Sequence, residues 1–309
     1  MLYPGLYPPV CLSLPGRTPR PLFNQFVLTI SQLLFTLSPS WERLRPQPVR
    51  KISMTFTYDW QASLLTFVIL GASIALAQFI AFKVPAFARA REENRSENQR
   101  KWRELGKKYH HRVKSSQKIG FVINTAFYIA ILPFFVSWEA QPVWRIVLDV
   151  FLILMVYDFF YYLVHRFLFH GKGYMRRVHA VHHQARSRVT SIDSYLLHPW
   201  EIFIGIALYF ATIVVLGLGG LAPFHVATIV ISNFIYTQLN QVNHCRIDLN
   251  YFPFKTINYI AMKHDAHHLD MHKGNYATIT LLYDKLFGTL EVHPLETQPR
   301  DEHNNPVNA

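Results

Sequence analysis

The sequence predicts an all-α integral membrane protein with about five transmembrane helices, one plus two hairpins, and a cytosolic, histidine-lined helical cap. Three observations carry this expectation. The 309-residue chain is half apolar and only 16% charged, with 24 Phe and 16 Tyr, a composition of membrane proteins rather than soluble globules. Apolar runs near the length that crosses about 30 Å of hydrocarbon alternate with basic stretches. Sixteen histidines are present, and many of them gather at the ends of those runs.

Residues 1–53 stand apart. They open Pro-rich and end on Arg43, Arg45, Arg50 and Lys51. Residues 22–37 are apolar but short and interrupted by Asn24, Gln25 and Gln32, which favours an interfacial segment over a span. Met54 begins a more ordinary membrane-protein start, so 1–53 reads as a disordered or mis-assigned extension. Residues 54–118 then form a first membrane helix with a basic cytosolic segment, and 119–309 the remaining domain.

The first span is Ala62 to Phe82, ended by Pro85. Residues 83–118 carry twelve Lys or Arg against four Glu and read as a solvated helix with i,i+4 charge pairs. Ile119–Ser137 and Ile146–Val164 make the first hairpin. Trp200–Leu221 and Phe224–Val242 make the second, around the Gly217, Gly219, Gly220 and Pro223 turn. The basic 83–118 stretch orients the protein with that side cytoplasmic. Two crossings later His165 is on the same side, as is His244 after two more. The net charge of +12 lies between apolar spans and comes with no nucleic-acid motif, so anionic lipid headgroups are the expected partner and nucleic acid is not. Cys11 and Cys245 alone give no disulfide framework.

His165, His170, His179, His182 and His183 fall within nineteen residues, and His264, His267 and His268 repeat the H-x-x-H-H spacing of the last three. On a helix i, i+3 and i+4 share a face, so each unit is expected to present three imidazoles to one point. A histidine-only set suits iron, zinc or copper better than magnesium or calcium. His165 and His170 are five apart, about 140° around an ideal helix, and meet one site only if the helix ends or loosens between them. Gly171 and Gly173 favour such an end. His225, beside the far-side turn, is expected to be idle.

At this point the chain resembles the fatty acid hydroxylase and sterol desaturase superfamily of membrane-bound, histidine-rich di-iron oxygenases. The resemblance covers about Trp144 to Glu291. It rests on His165-Arg-Phe-Leu-Phe-His170, His179-Ala-Val-His-His183, His198-Pro-Trp-Glu201, Asn243-His244, His264-Asp-Ala-His-His268, and the closing Asn275-Tyr276 and Tyr283-Asp-Lys-Leu-Phe-Gly-Thr-Leu290. It implies two iron ions, with zinc as a substitute, held by His165, His170, His179, His182, His183, His264, His267 and His268, with His244 a ninth ligand. Some members carry a further histidine four residues earlier, where this chain has Asn240. The resemblance also implies a lipid substrate and a separate electron donor, either cytochrome b5-like or a ferredoxin with its reductase. No haem-binding domain or nucleotide fingerprint is present in the sequence.

The expected reaction is O₂-dependent hydroxylation of an unactivated C–H bond of a fatty acyl chain or sterol. An acyl-lipid or sterol desaturase is the alternative within enzymology, although only eight residues separate His170 from His179, where desaturases usually space the first two boxes widely. A histidine-rich metal transporter is the alternative of another class, but its histidines would line a path across the membrane instead of gathering at one face. Metal-bound histidines need acceptors for their second N–H. Asp158, Asp193, Glu201, Asp265 and Asp270 lie within or beside the boxes and are candidates. For Asp158 a loop arginine is an equal prospect. His198 is expected behind the ligands, and Tyr161 and Tyr162 in the interfacial aromatic belt.

Overall fold

The computed structural model describes residues 57–185, 189–245, 249 and 251–296. The expectations for residues 1–53 lie outside these. Helix α1 (Trp60–Lys83) starts where the Asp59 side chain accepts the Ala62 N–H at 2.9 Å. It stops at Val84 because Pro85 cannot continue the backbone ladder. Helix α2 (Ala88–Ala130) runs for 43 residues, with Gly106 at φ 65° and ψ −160° as a kink inside it. The basic stretch and the second span are thus one helix, which ends just before a 3₁₀ turn, Leu132–Phe134, with Pro133 near its start. Helix α3 (Val143–Leu163) continues into a π-turn over Val164–Phe169. Helix α4 (Tyr174–His179) is short. Helices α5 (Pro199–Leu216) and α6 (Val226–Val242) form the second hairpin, and α7 (Phe254–Leu269) and α8 (Leu282–Leu286) complete the order.

The long helices close a ring in which α1 packs on α2, α2 on α5, α5 on α3, α3 on α6, and α6 back on α1. Ile153, Tyr157, Tyr209, Phe210, Ile213 and Ile229 fill its middle. Large apolar side chains also cover the outside, among them Val68, Phe79, Phe121, Val122 and Phe151, as expected where the surrounding solvent is hydrocarbon. Among the described residues four helical stretches are long and apolar enough to cross a membrane: Trp60–Lys83, Pro85–Phe134, Val143–Phe169 and Pro199–Leu221. Helix α6, 17 residues long, is the fifth member of the bundle. At the loop end a two-residue parallel pair, β1 (Val136–Ser137) with β2 (Phe224–His225), joins the two hairpins in the register Val136 to Phe224. Arg145 secures the same end by donating to the Leu221 carbonyl at 2.8 Å.

The polar half of α2 departs from the solvated helix expected of it. Arg89 pairs with Glu93 at 3.0 Å, and Arg100 with Glu97 and Glu104, on its outer side. Its inner side is buried. Lys101, 2% exposed, pairs with Asp193, and Tyr109 donates to the same carboxylate at 2.7 Å. Lys101 and Tyr109 are eight residues apart, about 12 Å along a straight helix, and the Gly106 kink lies between them. Only a residue without Cβ adopts that backbone conformation cheaply. Asn98 and Ser116 add bonds to Thr190 and to the Leu197 carbonyl, so α2 straps down the segment that follows the first histidine boxes.

Candidate metal centre

The nine histidines singled out from sequence meet in two adjoining groups. His165, His170, His179, His183 and His267 form one, and His182, His244, His264 and His268 the other; within each, one nitrogen per residue lies within 4.8 Å of all the others. The π-turn is the device that brings His165 and His170 together. Its i→i+5 bond, His170 N–H to the His165 carbonyl at 3.0 Å, replaces the α-helical repeat with one that suits a five-residue spacing. One feature differs from expectation, because neither H-x-x-H-H unit converges on a single point. The i and i+4 members, about 40° apart on a helix, stay together, while i+3, about 100° from i+4, diverges. Hence His179 and His183 enter the first group and His182 the second, whereas His264 and His268 enter the second and His267 the first. Each box links both groups.

The donor sets fit metal ions. His165, His170, His267 and His244 donate Nδ1–H to the carbonyls of Tyr276 (2.7 Å), Met271 (2.8 Å), Gly274 (2.8 Å) and Asn240 (2.8 Å), and His179 donates to Glu201 Oε1 (2.7 Å). A neutral ring so bonded has only a lone pair at Nε2. Yet Nε2 of His165 and of His183 each lie 3.0 Å from Nε2 of His179, and in the second group His182–His244, His244–His264 and His264–His268 are each 3.2 Å apart. For His165 with His179 at 3.0 Å and His165 with His267 at 3.2 Å both rings are held through Nδ1, so lone pair faces lone pair, an arrangement of low cost only around a cation. Metal–imidazole bonds of about 2.0–2.1 Å place neighbouring nitrogens about 2.9–3.4 Å apart. His170 Nε2 is also buried with no partner among the described residues. Burial, reinforced by neighbouring imidazoles, pushes His179, His182, His183, His264 and His268 well below the usual histidine range. His170 is lowered to about 3 and His267 to about 4, chiefly by burial. The rings are therefore neutral, as ligation requires.

Three histidines of the first group lean on one loop, residues 271–276, each donating to a different carbonyl of it. Two carboxylates hold its far end. Asp158 accepts the N–H groups of Thr278, Ile279 and Thr280 at 2.9–3.0 Å. Asp284 accepts those of Tyr276 and Ala277 at 2.8 Å. Asn275, at φ 65°, donates to the Lys263 carbonyl and accepts from Glu291 N–H, each at 2.9 Å. A Cβ on Gly274 would lie 1.9 Å from the Thr289 carbonyl oxygen, so only glycine fits. Sequence reasoning gave Asn275 and Asp284 no role, although both lie in the closing motif.

The other expectations divide. Glu201 supports His179 directly. Asp158 meets neither a histidine nor a loop arginine, because its oxygens are taken by the 278–280 backbone. Asp265 pairs with His293 at 3.2 Å, Asp270 accepts from the His272 N–H at 2.9 Å, and Asp193 belongs to the Lys101 network. His198 does not support one of the nine histidines as expected; it caps α5, its Nδ1 accepting the Trp200 N–H at 3.2 Å. His225 caps α6 in the same way. Tyr162 is not a belt residue. It is buried, takes a 2.6 Å bond from Arg166 and contacts Thr289 at 3.1 Å. Tyr161 faces inward as well, onto a cavity of about 280 Å³ between α2, α3, α5 and α6 whose lining also includes His182, Glu201 and Phe169.

Residues 150–289 match the fatty acid hydroxylase family model, a range that contains all nine histidines. That stretch, somewhat under half of the chain, carries the likeness to the fatty acid hydroxylase family. Among relatives the chain is 31% identical over 161 residues to methylsterol monooxygenase 1 of Rattus norvegicus, covering 50% of each chain. It is 32% identical over 159 residues to a cholesterol 25-hydroxylase-like protein of Danio rerio, covering 49% of this chain and 59% of that one. It is 33% identical over 158 residues to very-long-chain aldehyde decarbonylase GL1-11 of Oryza sativa subsp. indica, covering 48% and 54%. The match spans about half the length of the first of these relatives. No solved structure is a significant match.

Proposed function

We propose that this protein is a membrane-bound, O₂-dependent oxidoreductase that hydroxylates an unactivated C–H bond of a lipid. The observation that carries the reading is the pair of abutting, all-histidine groups beside a cavity walled by membrane helices. Two iron ions bound there would pass electrons from the donor to O₂ and supply the oxidant for the C–H bond, the second oxygen atom leaving as water. The nine histidines would hold them. The loop carbonyls and Glu201 fix each supported ring in the tautomer that turns Nε2 inward, and the aromatic walls of the cavity, Tyr157, Tyr161, Phe169 and Tyr236, keep water from the reacting carbon.

The relatives' names, two of them sterol oxygenases or hydroxylases, support a sterol or other lipid substrate. The histidine groups lie at the same end of the bundle as the basic half of α2, which supports a cytoplasmic active site. Electrons then come from a separate donor protein, and the outer basic side of α2 is suited to an acidic one. Purified protein should contain about two irons per chain and, given a reductant and ¹⁸O₂, transfer one labelled oxygen atom to a lipid. Label confined to water, or formation of a double bond without oxygen in the product, would reject hydroxylation.

A further inference from the structure

A second and larger opening lies where α1 turns into α2. It is a groove of about 1350 Å³, above the roughly 300–1,000 Å³ that takes drug-sized ligands, and no histidine is among its lining residues. Ala81 and Phe82 at the end of α1, Phe87 and Ala88 at the turn, Val242 of α6 and Phe254 of α7 give it apolar walls. The rings of Phe87 and Phe254 meet with centroids 5.3 Å apart and join its two sides. Phe82, 69% exposed, continues the apolar outside of α1 with Phe79 and Ile80, so the groove opens onto the surface that hydrocarbon covers. Its remaining wall is basic. Arg91, Arg95, Gln99 and Arg103 follow one i+4 row along α2 and all line the groove, against one acid, Glu92. Arg91 Nη1 donates to the carbonyls of Ala81 and Val84, which fastens the end of α1 to that row. Arg95 and Arg103 make no hydrogen bond or ion pair among the described residues. Two unpaired guanidiniums beside an apolar groove complement an amphiphile with a negative head and hydrocarbon chains.

We propose that this groove is a site for an anionic glycerophospholipid, held as a resident of the fold and not as the substrate, with its headgroup against Arg95 and Arg103 and a chain along Phe82, Phe87 and Phe254. The proposal goes beyond the oxygenase reaction and does not depend on it. What such a lipid does follows from the other residues of the groove. Asn94 and Asn98 line it too, and there Asn94 Oδ1 accepts the Ser191 N–H at 3.3 Å and Asn98 Oδ1 the Thr190 hydroxyl at 2.5 Å. Ser191 and Ile192, also in the lining, precede Asp193, the partner of Lys101. Val242 and Cys245 flank Asn243 and His244, a member of the second histidine group. A lipid seated there braces α2 against the segment it straps and backs the second group from behind. It stabilises the fold by mass action, because the unfolded chain has no such groove.

The test uses the full-length protein in nanodiscs of phosphatidylcholine with a minor share of phosphatidylglycerol. Brominated chains are placed on one lipid or on the other, so that the membrane stays the same and only the label moves. Bromine quenches tryptophan on contact, and Trp102 lines the groove. Its emission is isolated by subtracting that of Trp102→Phe. At equal numbers of labelled molecules, far from saturation, phosphatidylglycerol should occupy this contact about five- to thirtyfold more often than phosphatidylcholine, the range for one to two basic residues near an anionic headgroup. Arg95→Gln with Arg103→Gln should bring that ratio to within about twofold. Lys107→Gln with Lys108→Gln removes the same charge from α2 outside the groove and should leave the ratio unchanged. In the wild type and the lysine variant, phosphatidylglycerol should also raise the unfolding midpoint above that in pure phosphatidylcholine, and in the arginine variant it should not. Equal quenching by the two lipids, or a ratio that falls as far in the lysine variant as in the arginine variant, overturns the proposal. So does Trp102 emission that neither lipid quenches, which would leave the groove to a protein partner, or a midpoint raised equally in the arginine variant. None of these readouts involves turnover or bound iron, so this site and the oxygenase reading stand or fall separately.

Discussion

Asp158 Oδ1 accepts the backbone N–H of Ile279 over 2.9 Å, across 121 positions of sequence. The carboxylate lies two turns before His165 on α3, and the segment it holds continues from the loop whose Tyr276 carbonyl accepts the His165 Nδ1–H. Helix α3 thus positions His165, in the π-turn that continues it, twice, through the backbone and through a loop that it clamps with an acid. A buried acid inside an apolar span needs such partners.

Asp158→Ala should therefore damage the metal site without removing a ligand. It leaves three N–H groups and the Thr280 hydroxyl without their acceptor, and each unsatisfied buried group costs about 1–3 kcal/mol. Expected outcomes are a loss of thermal stability and metal content that falls with it. Asp158→Asn retains one acceptor oxygen and should lie between wild type and Asp158→Ala. Equal iron content and equal unfolding midpoints in all three proteins would show that the clamp is dispensable.

The buried Lys101–Asp193 pair makes a second prediction. Lys101→Met strands a buried carboxylate and should destabilise by about 3–5 kcal/mol. Asp193→Asn in the same chain removes the stranded charge and keeps an acceptor for Tyr109, so the double variant should recover much of the loss. Denaturation of the wild type, both single variants and the double variant in detergent gives the coupling directly. A double variant whose loss is the sum of the two single losses would mean the pair does not interact.

Much of the site is legible in the sequence because it is written in local spacing. His179, His182, His183, His264, His267 and His268 follow a helical repeat that periodicity reveals. Their division between two groups is also implicit in that repeat, since i+3 and i+4 differ by about 100°, but choosing it requires knowing that two partners stand on opposite sides. The π-turn at Val164–Phe169 was visible only as a need for the helix to loosen. Burial of Lys101 was not visible at all, because a basic run reads as solvated until Asp193, ninety-two residues away, is placed against it. The partners of Asp158 were hidden for the same reason.

The metal-free protein should lose stability on acidification. A histidine whose folded pKa lies below its unfolded value of about 6.5 binds protons more readily when unfolded. Its contribution is neutral above about pH 6.5 and becomes destabilising as pH falls from there toward the folded values, about 4 for His267 and about 3 for His170. At pH 5 each such ring disfavours the folded state by about 2 kcal/mol. The unfolding midpoint of chelated protein should be clearly lower at about pH 5 than at about pH 7.5, and bound metal should be released over the same interval as protons compete for the rings. A midpoint that is flat or rises on acidification would contradict the neutral, buried state of these histidines.

The division of the boxes predicts that adjacent histidines fail differently. His183 belongs to the first group and His182 to the second, so His183→Ala and His182→Ala should each lower bound iron by about one ion while leaving the opposite group's ligands complete. In the second box the assignment reverses. His267→Ala should resemble His183→Ala, and His268→Ala should resemble His182→Ala. Pairing variants sharpens the test, because His183→Ala with His267→Ala strips one group and should leave about one iron, whereas His183→Ala with His182→Ala weakens both and should leave less. All of these variants should lose O₂-dependent turnover by at least about a hundredfold, since even residues behind metal ligands alter affinity or activity by about 10–100-fold. His225→Ala is the control. Its ring accepts the Ala227 N–H at 3.1 Å as the cap of α6, so its loss should cost about 1 kcal/mol of stability with no change in iron. Metal analysis, turnover and unfolding on the set decide the matter, and identical iron content in the same-group and cross-group double variants would show that the two groups do not bind separate ions.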